Sequence, residues 1–148
     1  MKKFIVASLA VAGLMSSTAF AATSGAARLD ATLVDGWLLV APVTREINVA
    51  QTGTLTARTG RAGFVKNNFD FTVSANVAAG VNDNAANSRF GVIAGSNKGY
   101  NVFTGSSVGG SISQCGASIL KTVTNLAASE VASDKLVLDN ANGCGRAL

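Results

Sequence analysis

From Phe69 to Val77, apolar and polar residues alternate without a break: Phe69, Phe71, Val73, Ala75 and Val77 against Asp70, Thr72, Ser74 and Asn76. Successive side chains of a β-strand point to opposite faces, so this pattern gives a strand one buried face and one wet face. A helix would scatter the same apolar residues around its circumference. The stretch therefore points to an antiparallel sheet with one side packed on a core.

Weaker alternation recurs on both sides. Ile47 and Val49, then Leu55 and Ala57, alternate with polar residues, with Gln51-Thr52-Gly53 expected as the turn between them. Phe90, Val92 and Ala94 resume the pattern after an expected polar loop from Gly80 to Ser88. Gly95 to Gly99 is expected to turn the chain into a returning strand, Tyr100 to Phe103, followed by a Gly/Ser loop from Gly105 to Ser113. Nearer the N-terminus, Asp35-Gly36 separates Thr32-Leu33-Val34 from Trp37-Leu38-Leu39-Val40, a hairpin signal. Leu29, Leu33 and Trp37 also recur at helical spacing, so helix stays an alternative, but Gly36 would weaken a helix interior. Strand signals about every 8–12 residues favour a sandwich or barrel.

The period then changes. Ile112, Cys115, Ile119, Val123 and Leu126 recur three to four residues apart, which predicts an amphipathic helix with Lys121 and Asn125 off its apolar stripe. Lys135 to Asp139 reads as a last short strand. The chain's two cysteines, Cys115 and Cys144, flank this region and are expected to form a disulfide. The fold class is thus mainly β: an antiparallel β-sandwich or barrel-like domain with one C-terminal helix held by a disulfide.

The disulfide expectation depends on compartment. Met1-Lys2-Lys3, the uncharged apolar run Phe4 to Met15 and Ala19-Phe20-Ala21 make a secretory signal peptide over 1–21, cleaved before Ala22. Residues 22–148 then form a single β-rich domain, exported to the periplasm, the cell surface or the exterior. No later stretch is apolar enough for a spanning helix, and the aromatics are too few for an outer-membrane barrel.

Composition removes several functions. The formal charge of +4 includes Lys2 and Lys3, leaving +2 (4 − 2) after cleavage, with basic residues scattered, so no nucleic-acid partner is expected. Histidine is absent, which rules out a Ser-His-acid triad around Gly105-Ser106-Ser107-Val108-Gly109. Ser118-Ile119-Leu120-Lys121 resembles a serine–lysine motif only superficially. Asp83 and Asp139 sit among asparagines but lack the ligand spacing of a calcium loop, so neither metal nor cofactor is expected. Trp37, Tyr100 and Asp83 are the candidate ligand-binding residues. The expected function is that of an exported, non-enzymatic structural, adhesive or filament-type surface protein, with itself or another surface protein as partner. The alternative is a soluble periplasmic or secreted ligand- or protein-binding module.

Overall fold

The computed structural model describes residues 28–41 and 49–147. The expected leader over 1–21 and the Ile47 end of the second alternating stretch lie outside the described residues. The strands are β1 (Ala31–Thr32), β2 (Gly36–Ala41), β3 (Gln51–Thr56), β4 (Phe69–Val73), β5 (Val77–Asn84), β6 (Arg89–Ser96), β7 (Val102–Ser106) and β8 (Ile112–Gln114). One short helix, α1 (Leu126–Ser129), follows.

Two sheets form. The central sheet has five strands in the order β2-β5-β6-β7-β8, all antiparallel. The smaller sheet has three, β1-β3-β4, with β1 parallel to β3. The central sheet is covered on both faces, by different means. On one face Ala78, Ile93 and Val102 pack against Cys115, Ile119, Leu126, Val131 and Leu136, so the C-terminal segment forms a cap. On the other face Val40 and Val81 pack against Leu33 and Leu55, with Phe71 and Phe90 alongside, so the smaller sheet lies over β2, β5 and β6. The expected mainly β class is therefore present, built as two sheets, and the parallel β1–β3 pair departs from the antiparallel expectation.

The disulfide joins Cys115 to Cys144 with their Cα atoms 5.2 Å apart, within the range a strain-free bridge needs. It closes the cap. Within that loop the expected helix is absent. Ile112 belongs to β8, and α1 spans only four residues. The apolar spacing reflects anchoring instead. Cys115 N–H donates to Val102 C=O (2.8 Å) and Ile119 N–H to Tyr100 C=O (2.6 Å), which pins the segment along the end of the sheet. Gly116, at φ +71°, breaks any helical run beside Cys115. Cys115 and Ile119 reach the core from an irregular path and Leu126 from the start of α1, while Ile112 stays exposed.

Other expectations change in detail. The 69–77 alternation is two strands, since Asn76 at φ +65° reverses the chain between β4 and β5. Asp35-Gly36 does separate two strands, but they do not pair: β1 joins β3 and β2 joins β5. Gly36, at φ +93°, carries the chain from one sheet to the other. Gln51-Thr52-Gly53 begins β3 rather than forming a turn, and Gly80 to Asn84 belongs to β5 rather than to a loop. The polar residues of β5 escaped a hydrophobic pattern because Gly80 makes room for the Trp37 ring and Asp83 is buried by a hydrogen bond. The expected strand at Lys135 to Asp139 reduces to a 3-10 turn over Ser133–Lys135 and a single bridge between Leu136 and Cys144.

Candidate functional site

Three strands cannot cover five. The smaller sheet ends at β4, which faces β5 and β6 across a gap, and the matching face of β7 and β8 has no partner among the described residues. The side chains there are nevertheless apolar. Val92 is 40% exposed, Phe103 46% and Ile112 81%. With Phe64, Phe90 and Ala94 they line an open groove of about 400 Å³. A second gap of about 190 Å³ runs under β4, lined by Phe69, Phe71 and Val73 on one side and by Val40, Ala79, Val81, Phe90 and Val92 of the central sheet on the other. Phe90 and Val92 belong to both, so the two spaces adjoin.

One end of the groove is built by the loop after β3. Phe64 stacks on Phe90 with ring centroids 6.2 Å apart and planes 10° from parallel. Asp83 sets that position. Its carboxylate is fully buried, and Oδ1 accepts a hydrogen bond from Phe64 N–H at 2.8 Å. Its Oδ2 has no hydrogen-bond partner among the described residues and lies where a Cβ on Gly63 would sit, so glycine is needed there. Nearby, Asp35 accepts from Ala85 N–H (3.1 Å) and from Arg58 Nη1 (2.8 Å). These bonds, the Ala85 N–H foremost, hold its carboxyl below the usual carboxylate range.

The other end is the β7–β8 turn. Ser107 Oγ accepts from Phe90 N–H at 2.9 Å, and Ser106 Oγ donates to Leu138 C=O at 3.1 Å. The Ser106 hydroxyl of the Gly105–Gly109 motif is thus committed to structural bonds, while Ser107 Oγ holds Phe90 N–H and keeps its own O–H available. Ser118 Oγ donates to Asn101 Oδ1 at 3.0 Å and lies outside any helix. The lining of both spaces carries no charged side chain. The site can bind apolar surface; its lining has no acid–base pair.

The three sequence candidates do not converge. Trp37 and Tyr100 pack against the cap, on the face away from the groove. Trp37 covers Gly80, and Lys121 Nζ sits 5.7 Å from the centre of the Tyr100 ring. Asp83 lies on the opposite face and acts through the Phe64 loop. None of the three lines either space. Phe64, Phe103 and Ile112 were missed as site residues. Their signal was present in β6 and β7, where Val92-Ile93 and Val102-Phe103 place apolar side chains on both faces and so call for two covers.

Among the described residues, no three His, Cys, Asp or Glu side chains group to hold a metal, and no helix is long and apolar enough to cross a membrane. The disulfide is consistent with an oxidising, exported location. No family model, curated protein or solved structure matches the chain.

Proposed function

We propose that this chain is an exported, non-enzymatic structural or adhesive surface protein that works by contact through the open half of its central sheet. The observation that carries the reading is the exposed apolar surface formed by Phe64, Val92, Phe103 and Ile112. Contiguous exposed apolar surface is costly in water and marks interaction sites in folded proteins. The uncharged lining and the absence of histidine support a contact role over catalysis.

The groove's size favours a second reading, a soluble ligand-binding module, because about 400 Å³ falls within the range of small-molecule sites. Such sites also need polar groups that fix orientation, and of the two motif hydroxyls only the Ser107 O–H remains to donate.

Light scattering coupled to size exclusion on the oxidised, secreted protein, with electron microscopy of any polymer, tests the first reading. Assembly or partner binding that Phe103→Asp abolishes is the expected result. Contacts insensitive to Phe103→Asp, or saturable binding of a small apolar ligand by a strict monomer, would overturn it in favour of the second.

A further inference from the structure

We propose that the open edge of β4 and the uncovered half of the central sheet together accept one extended strand from a different protein. That strand carries uncharged, apolar side chains at alternate positions on its inner face. The proposal rests on the contact role above and names its partner.

The edge argument comes from hydrogen-bond direction. Leu29 N–H donates to Thr52 C=O and Leu33 N–H to Thr56 C=O, both at 2.9 Å, so Thr52, Thr54 and Thr56 turn their main-chain groups toward β1. Gln51, Gly53 and Leu55 then face β4, where their register partners are Val73, Phe71 and Phe69. The main-chain N–H and C=O groups of Asp70 and Thr72 therefore point away from β3, along an edge that no described strand covers. An uncovered edge of main-chain N–H and C=O groups is a template for another strand.

The groove argument comes from position. Because β4 ends the smaller sheet and faces β5 and β6, the next strand place beside it falls on the β7 and β8 side. A strand there would pair with Asp70 and Thr72 and at the same time cover Val92, Phe103 and Ile112. Neither space is lined by a charged side chain, so the incoming face must be uncharged as well.

Among the described strands, a second copy of this chain offers a poor donor. If its β4 turned its apolar face to the groove, its own central sheet would collide with β7 and β8. Turned the other way, it would present Asp70 and Thr72 to an apolar floor. The edge strand β2 is covered on both faces, with Trp37 and Leu39 on one and Leu38 and Val40 on the other. The other edge, β8, has only three residues. The geometry calls for a strand not already backed by a sheet.

The test uses the secreted protein with its disulfide intact and a synthetic peptide with the sequence of residues 69–77 as a generic alternating strand. A shuffled peptide that groups its apolar residues is the control. Amide exchange followed by NMR should slow about tenfold or more at Asp70 and Thr72 when the alternating peptide is bound, and stay unchanged at Phe71. Thr72→Pro removes an outward N–H, a change an edge strand tolerates, and should weaken binding about tenfold. Phe103→Asp, at a half-exposed position, should weaken it independently of the edge. Unchanged affinity in Thr72→Pro, binding without protection at Asp70 and Thr72, or equal binding of the shuffled peptide would overturn the proposal. So would failure of the alternating peptide to bind. If no peptide binds but the protein self-assembles through Phe103, the occupant is a second copy and the contact role stands. If neither occurs, both readings fall.

Discussion

Arg146 reaches across the disulfide loop to Glu130, its Nη2 2.8 Å from Oε2, with the two side chains only 10% and 18% exposed. Its Nη1 also donates to the Ala117 carbonyl at 3.0 Å and to that of Cys115. The residue near the end of the chain thus ties together the start and the middle of the cap. Arg146→Ala leaves the Glu130 carboxylate largely buried without its cation, and should cost about 3 kcal/mol in urea denaturation. Glu130→Gln with Arg146→Met should recover part of that loss, because the unpaired charge is then gone.

The disulfide closes a loop between residues 29 apart in sequence. In the chain-entropy account such a crosslink stabilises the protein by roughly 3–4 kcal/mol, so the Cys115→Ala, Cys144→Ala double variant should lose about that amount. Trp37 packs against the cap, so the near-ultraviolet circular dichroism of the single tryptophan should weaken in parallel. A variant with unchanged stability would show that the cap holds by packing alone.

Asp35 makes a pH prediction. Its carboxyl is depressed below its ordinary value, so the group stabilises the fold above that ordinary value, and this contribution fades as pH falls through the lowered folded value. Asp35→Asn should therefore lower the denaturation midpoint at pH 7. The difference from the unmodified protein should shrink as pH falls below the ordinary carboxylate value of about 4 and vanish once pH is below the lowered folded value. A difference that persists in acid would assign the effect to contacts that the protonated acid also makes rather than to the carboxylate's charge.

Gly80 lies under the Trp37 ring, where an added Cβ would overlap the aromatic carbons. Gly80→Ala should destabilise by about 1–3 kcal/mol and shift the tryptophan emission as the ring is displaced. Gly36→Ala probes a different cost. No atom lies within 4 Å of an added Cβ there, so any loss comes from the positive φ alone.

The strands of the central sheet were legible where alternation survives. Phe90, Val92 and Ala94 mark β6, and Lys98-Gly99 falls in the turn that follows it. The signal failed where tertiary contacts replaced periodicity. Asn82 and Asp83 look like loop residues, yet Asp83 is buried because Phe64 N–H satisfies one of its oxygens. Ile112 to Leu126 looks like a helix because anchors three to four residues apart can also come from an irregular segment pinned to a sheet. The groove was illegible for another reason. Alternation identifies a face that prefers cover, and only the strand count of the two sheets reveals that half of it has none.

Gly36 joins two strands that belong to different sheets, and this has a kinetic consequence. The meander from β5 to β8 closes through short local turns, whereas β2 must wait for β5, whose Asp83 pairs with Gly36. Chain ends that come together over long separations do so late, because loop closure must precede the contact. The first part of the described chain is thus the last to be secured. Leu38→Ala should speed unfolding while leaving the folding rate nearly unchanged. Until that strap docks, β5 in place of β2 is the bare edge opposite β8, and a chain still folding is open to strand exchange along the longer β5.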